Sequence, residues 1–249
     1  MDEATARDWV ARWDRQQEFY VADREERFTV IGDVLAHQLA DTPRPRVLDV
    51  ACGPGSLAAR VAARLPGADI VGVDTDPVLL ALAAAAHPEV GRFVDADLTR
   101  PDWAEANGLT PPWDAAVSTT ALHWLAEPDL AALYRHLAGL VRPGGVFVNA
   151  DHLYDDQPAI RALSRTVRKQ RAARAGVGAH EDWQSWWQAV EAAPELAGPV
   201  AERRRRGYDH TEEPDLSAAT HARLLRQAGF AEVGVVWQSG DDTVLVAVR

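Results

Sequence analysis

The sequence holds one cysteine, one methionine and one lysine among its 249 residues. A lone cysteine rules out an intrachain disulfide and points to a reducing cytoplasm. Long apolar runs are missing too. The longest, "VLLALAAAA" at 78–86, falls well short of the ~20 residues a membrane-spanning helix needs. The first residues, "MDEATARDW", are acidic and polar and carry no apolar signal-peptide core. Positive charge is in deficit, with a formal net charge of −11. Nucleic acids are polyanions gripped through Lys and Arg, so this balance speaks against a nucleic-acid partner. Internal repeats and low-complexity linkers are absent as well. What remains is 47% apolar residues, enough core for one large α/β domain or a domain with an insert.

What is present is an alternation. Residues 3–40 read as amphipathic helix, with Trp9, Trp13, Phe19, Phe28, Ile31 and Leu35 on the apolar faces, until "DTPRP" at 41–45 breaks it. Strand patterns follow at 46–51, 68–74, 91–97, 113–120 and 144–151, separated by helical patterns at 56–65, 77–87 and 128–141. That rhythm predicts βαβ units and a parallel sheet covered on both faces. Residues 155–215 break it with helical sequence rich in Arg and Trp. After a helix at 217–230, "AEVGVVWQ" and "DTVLVAVR", joined by "SGDD", read as an antiparallel hairpin. The expected organisation is a helical cap at 1–43, a doubly wound α/β domain at 44–153 and 216–249, and a helical lid or substrate-binding insertion at 154–215.

The first strand runs into "DVACGPGS" at 49–56. In an open α/β sheet, ligands bind beyond the carboxyl ends of the strands, near the switch in strand order. Gly53 and Gly55 let the backbone approach a ligand and adopt conformations barred to other residues. Ser56 is expected to cap the next helix, whose positive end favours an anionic group. Asp74, nineteen positions after Gly55, ends the second strand, where it can accept from two ribose hydroxyls. Asp97, after the third strand, can accept from an exocyclic amine while Leu98 packs on an adenine face. These residues describe a nucleoside pocket. Because "GPGSLA" also satisfies G-x-G-x-x-A, a nicotinamide-dependent reductase stays open. Two features oppose it. Asp49, four residues before the first glycine, suits an ammonium group and not a pyrophosphate. Arg165 stands where a Tyr-x-x-x-Lys pair with Lys169 would need tyrosine.

An adenosine with a zwitterionic amino-acid tail fits both ends of this pocket. On these residues the sequence resembles the class I S-adenosylmethionine (SAM)-dependent methyltransferases. "VLDVACGPG" is similar to their first motif, "VGVDTDP" to their ribose-binding turn, and "VDADL" to their adenine-binding turn. "RPGGVFVN" is similar to their approach to strand five, and "LLRQAGFAEVGVV" to their closing helix and sixth strand. The resemblance implies a Rossmann-like, seven-stranded, mostly parallel sheet with an antiparallel last strand. It implies SAM as cofactor, without a metal, held by Asp49, Ala51, Cys52, Gly53, Gly55, Asp74, Thr75, Asp97 and Leu98. "ALHWL", within 118–125, resembles the small-molecule branch that includes trans-aconitate methyltransferase-like proteins. It implies Thr119, Thr120 and Leu122 beside the cofactor, and His123 and Trp124 beside the acceptor. Tyr20 resembles an N-terminal tyrosine that relatives fold over the cofactor.

The expected activity is methyl transfer to an oxygen or nitrogen of a small organic molecule, by a cytoplasmic monomer or homodimer with no nucleic-acid or membrane partner. An acceptor that must lose a proton needs a base, and histidine titrates in the right range. His152, after strand five, is the first candidate and His123 the second; His180 and His210 lie in the insertion and could hang over the site. Trp13, Trp124, Trp183, Trp187 and His210 are expected to form the acceptor pocket. The run "ERRRRGYDH" at 202–210 is either a solvated helix end or a clamp for a substrate carboxylate or phosphate. The tryptophans point to an aromatic acceptor and the arginines to an anionic one, and sequence alone leaves both standing. A non-catalytic SAM-binding module, recruiting a partner through its lid, is the remaining alternative; it would consume no SAM with any acceptor.

Overall fold

A computed structural model of the chain describes residues 1–22, 24–207, 214 and 216–249. Seven strands form one sheet in the order β3-β2-β1-β4-β5-β7-β6. The first three are β1 (Arg46–Val50), β2 (Asp69–Asp74) and β3 (Gly91–Asp95); then come β4 (Trp113–Thr119), β5 (Val141–His152), β6 (Glu232–Ser239) and β7 (Asp242–Val248). The pairs β1–β2, β1–β4, β2–β3 and β4–β5 are parallel, whereas β7 runs antiparallel to both β5 and β6. The expected doubly wound architecture and its final hairpin are both present. Strand order reverses at β1, where the chain leaves β3 and returns to β4 on the other side. The carboxyl ends of β1 and β4 therefore open a crevice at that point.

Burial on both faces explains the unbroken apolar strands. On one face α2 (Arg24–Gln38) and α3 (Ser56–Arg64) cover Val47, Ile70, Val117 and Val148. On the other, α5 (Glu127–Leu140) and α9 (Ala218–Ala228) cover Leu48, Val50, Phe147 and Leu245. The stretch 3–40, read as continuous helix, divides into α1 (Glu3–Glu18) and α2, with the break near Phe19. This division separates their duties. α2 lies on the sheet, while α1 packs against α4 (Pro77–Ala86).

Residues 155–216 leave and rejoin the sheet at one place, because Tyr154 and Ser217 form a parallel bridge. Inside that excursion the helices go to two sites. α6 (Pro158–Ala175) buries no residue and lies toward β6. α7 (Trp183–Ala192) and α8 (Ala197–Arg206) join α1 and α4 in a third apolar cluster centred on Trp186, which is fully buried. Trp9, Trp13 and Trp187 each meet Trp186 edge-on or nearly so, at centroid distances of 6.0, 4.9 and 5.0 Å. Among the described residues, no helix is long and apolar enough to cross a membrane.

Candidate functional site

A cavity of about 270 Å³ opens at the crevice. Its floor begins where β1 ends. Ala51 takes a left-handed conformation, with φ of 56°. For a residue with a Cβ this costs roughly 1–2 kcal/mol, and such strain concentrates at functional sites. The turn then passes through Gly53 and Gly55, with φ of 55° and 83°. A Cβ at Gly55 would stand 2.9 Å from the His87 ring and 3.0 Å from Phe93, whereas one at Gly53 would meet nothing within 4 Å. Gly55 is thus demanded by packing below the loop, and Gly53 keeps the space above it open. The helix that follows is capped by Gly55, not by Ser56 as the sequence suggested. Ser56 instead donates through Oγ to Asp14, at 2.6 Å, tying α3 to α1.

Three carboxylates meet at this end of the sheet. Asp74 accepts from the Gly53 amide at 2.8 Å, and from the Thr75 and Asp76 amides at 2.7 and 2.9 Å. It thereby fixes the glycine loop to β2 and still lines the cavity. Burial raises its pKa above the ordinary carboxylate value. Asp97 accepts from the amide and hydroxyl of Thr99 and lines the cavity together with Leu98 and Thr75. Asp49 does not line the cavity; it lies behind the loop, 1% exposed, and neither carboxylate oxygen has a hydrogen-bond partner. Burial, with the charge of Asp74 added, pushes its pKa up to about 8. Cys52 also lines the cavity, and burial pushes its thiol well above the usual range, which suits a packing residue and not a nucleophile.

The opposite wall comes from beyond β4. Thr119, Thr120 and Leu122 line the cavity as expected, and Thr120 is the second non-glycine residue with positive φ, 53°. Its hydroxyl and that of Thr119 accept from Arg27, a fully buried guanidinium that also donates to the Ala150 carbonyl and pairs with Asp242. Trp124 lines the cavity beside them. His123 stands between the lining residues Leu122 and Trp124, its ring 4.9 Å from that of Trp124. Its Nδ1 is 2.7 Å from Asp151, whose other oxygen accepts from the His123 amide at 3.2 Å. Burial alone would raise the Asp151 carboxyl; the neighbouring His123 outweighs it and holds the group well below the usual range.

Trp13, Trp183 and Trp187 complete the wall from α1 and α7. Several other expected residues stand elsewhere. His152 does not line the cavity; both ring nitrogens are buried without hydrogen-bond partners, with Nδ1 4.0 Å from Asp241, and burial pushes its pKa down to about 3, with Arg27 and Arg168 adding to the effect. Tyr20 is exposed, does not line the cavity and meets Phe19 edge-on, while Gln17 and Arg24 line the cavity from this part of the chain. His180 is on the surface, 3.2 Å from Glu18. His210 lies outside the described residues. Arg24, Gln17, Asp76 and Asp151 were not singled out from the sequence, and Arg203 only as part of the arginine run. The one signal for Arg24 was its i, i+3 spacing with Arg27 on an amphipathic helix.

The arginine run has a definite fate. Arg203 donates to Asp76 at 2.6 Å and stacks 3.9 Å from the Trp187 centroid. Arg204 pairs with Glu191, Arg205 with Glu202, and Arg206 with Asp95 and the Thr75 carbonyl. All four are engaged by the protein's own acceptors, and two of them fasten α8 to the turns after β2 and β3.

A family described as "Methyltransferase domain" matches residues 47–145. Among curated proteins, the chain is similar to trans-aconitate 2-methyltransferase of Methylobacterium nodulans, 32% identical over 192 residues, covering 73% of this chain and 69% of that one. The enzyme of the same name from Azoarcus sp. (strain BH72) is 35% identical over 167 residues, covering 67% of this chain and 61% of its own length. Among solved structures, the fold is similar to magnesium protoporphyrin IX methyltransferase from Synechocystis PCC 6803, with a TM-score of 0.55, 19% identity and full coverage of both chains. It is equally similar to human N-acetylserotonin methyltransferase, with a TM-score of 0.55 and 17% identity, covering 96% of this chain and 56% of that one. At such identities the two structures speak for the fold alone.

Proposed function

Since the chain belongs to the class I SAM-dependent methyltransferases, we propose that it binds SAM in this cavity and transfers the methyl group to a small organic acceptor. One observation carries the reading. The cavity wall contains a buried orphan donor, the Arg24 Nε–H, and two residues before the lining Ala51 lies a buried orphan acceptor, the Asp49 carboxylate; neither has a hydrogen-bond partner. Unsatisfied buried polar groups cost about 1–3 kcal/mol each, more when charged, and a ligand that pairs with both would recover that cost. A zwitterionic methionine tail satisfies both, with its ammonium on Asp49, directly or through water, and its carboxylate toward Arg24 and the loop amides. Asp74 would take the ribose hydroxyls with its remaining lone pairs. Asp97 would accept from the adenine amine, and Leu98 would cover the ring.

Bound SAM supplies an electrophilic methyl carbon on a sulfonium. The chain's contribution is alignment and exclusion of water. Alignment of a near-attack geometry supplies up to roughly 7–11 kcal/mol. Thr119, Thr120 and Leu122 would bound the reacting end, held there by Arg27. The tryptophans of α1, α7 and the 122–124 turn would seat the acceptor. The acidic surface balance favours a small molecule over nucleic acid, and the single cysteine favours a reducing cytoplasm. Calorimetry with SAM, S-adenosylhomocysteine and NADH tests the proposal. Both sulfur ligands should bind, and NADH binding without them would overturn it in favour of a reductase. Binding without methyl transfer to any member of a broad metabolite set would favour a non-catalytic module.

A further inference from the structure

β6 ends the sheet on the side away from the cavity. Among the described residues it has β7 as its only neighbour, so its outer row of backbone N–H and C=O groups has no strand opposite. Its residues, "EVGVVWQS", include a single charge, Glu232, and neither the proline nor the lysine that commonly blunts such an edge. Val235 and Val236 are 45% and 55% exposed. A bulge between Val235 and Trp237 interrupts the alternation of faces at this point. Val233 pairs with Ala247 and packs toward the core under α5 and α9, whereas Trp237 pairs with Val244 and packs on the α2 side. Alternation from these two anchors puts Glu232 and Gly234 on the face of Trp237 and Ser239, and Gln238 on the face of Val233.

Bulges often turn an edge away from partners. This one sets a register for self-pairing. A strand that meets its own copy antiparallel, about a two-fold axis normal to the sheet, must bring side chains of one face opposite each other. In an unbroken strand the axis must then pass through a residue facing itself. The change of face at the bulge lets it pass between Val235 and Val236. Glu232 then stands opposite Ser239 of the second copy, Val233 opposite Gln238, and Gly234 opposite Trp237, each pair on one face, while Val235 meets Val236 at the axis.

These pairs are complementary in size and charge. A Cβ added at Gly234 would meet nothing within 4 Å, so space stands open there for the indole of the second copy. The exposed valines supply a β-branched cross-strand pair. Ser239 borders a groove of about 890 Å³, with Arg171 and Arg174 of α6 on one wall and Glu25 and Glu26 of α2 on the other. Glu25 is already paired with Arg60. The exposed Glu232 carboxylate of the second copy reaches the Ser239 end, on the face where the arginines stand.

We propose that the chain forms a two-fold homodimer by antiparallel pairing of β6 with β6 of a second copy, joining two seven-stranded sheets into one. No residue of β6 lines the cavity, so each copy keeps its own site.

Sedimentation equilibrium of the full chain from about 1 to 100 µM tests this, the span in which many specific interfaces associate. A species of twice the chain mass is expected. A monomer throughout, or an assembly that grows beyond two copies, overturns the proposal. Val236→Lys sets a cation beside the axis in both copies and should raise the dissociation constant by about tenfold or more. In hydrogen exchange, amides of 232–239 should be protected in the wild-type dimer and exchange faster in Val236→Lys. Amides of β1 and β4 should be equally protected in both, which shows that the variant is folded. A dimer that persists in Val236→Lys with exchange at 232–239 unaltered has its interface elsewhere and overturns the proposal. Glu232→Arg should weaken the dimer by a few-fold, and adding Arg174→Glu should recover that loss. No recovery would overturn the register.

Discussion

The two walls of the cavity are built in opposite ways. The wall under the glycine loop comes from the ends of three adjacent parallel strands, so its chemistry sits in short contiguous stretches: 49–56, 74–76 and 95–98. The facing wall gathers α1, the 119–125 turn, α7 and α8, which lie far apart in sequence; the helices meet in the Trp186 cluster, while Leu122 of the turn packs into the core under α5 and α9. The first wall is polar and anionic and serves a ligand fixed by the fold. The second is aromatic, and its charges are consumed internally. A chain can change the second wall without disturbing the first, which is how one scaffold serves different acceptors.

The largest effect is expected at the residue that supports the second wall from beneath. Arg27 is fully buried, pairs with Asp242 of β7, and holds Thr119 and Thr120 on the acceptor-facing side of the sheet. Arg27→Met leaves the Asp242 carboxylate buried and unpaired, and should cost about 3–5 kcal/mol of stability, read from the urea midpoint. Arg27→Met with Asp242→Leu should recover most of that loss, because the pair is then replaced by apolar volume. Equal destabilisation in the double variant would show that the guanidinium matters for Thr120 and the Ala150 carbonyl more than for the ion pair.

Next in size is a crossed pair of substitutions. Asp74→Ala removes the ribose acceptor and the anchor of the Gly53 amide. Hydrogen bonds to a charged group are worth about 1.5–3 kcal/mol, so S-adenosylhomocysteine affinity should fall by roughly 10–100-fold. Trp183→Ala should instead raise the KM of the acceptor and leave that affinity within about twofold, since its lost area lies on the aromatic wall. If Trp183→Ala weakened the nucleoside ligand as strongly as Asp74→Ala does, the walls would not be independent. Arg203→Gln tests the seam between them. It frees α8 from Asp76, next to the ribose acid, and should weaken both ligands by a few-fold, consistent with one partly buried ion pair.

These differences also explain what could be read in advance. The sheet was legible because its inner strands, β1, β2, β4, β5 and β7, are buried on both faces and carry their own apolar runs. The Asp49, Asp74 and Asp97 set was legible because strand ends place such residues at fixed spacing from the loop. Ser56 misled, because a serine at a helix start normally caps it; here Gly55 already caps the helix and the hydroxyl is claimed by Asp14. His152 was attractive for its place at a strand end, yet strand alternation turns one neighbour toward the crevice side and the other away, and Asp151 is the residue that reaches His123. Arg24 and Arg203 were hidden because their partners, Asp14 and Asp76, lie on other elements. The fate of "ERRRRG" could not be known from sequence, since each acceptor that claims an arginine is set by tertiary packing.

The effect that needs no substitution is also the most specific to the polar wall. Asp49 has its pKa raised to about 8 by burial, against an ordinary value near 3.9 in the unfolded chain. The folded apoprotein therefore binds the extra proton, and this group's contribution to stability is fully present below pH 4 and declines as pH rises through 8. Ligand reverses the preference. An ammonium placed on Asp49 favours the ionised form, so binding below pH 8 must expel the proton. Affinity for S-adenosylhomocysteine should rise between pH 6 and 8, by at most about tenfold per pH unit, and calorimetry in buffers of different ionisation enthalpy should register proton release. Asp49→Asn should weaken binding and flatten the slope, while Trp183→Ala leaves the slope untouched. A wild-type affinity independent of pH across this range would mean that Asp49 stays protonated in the complex, and that the ammonium of the ligand is held elsewhere.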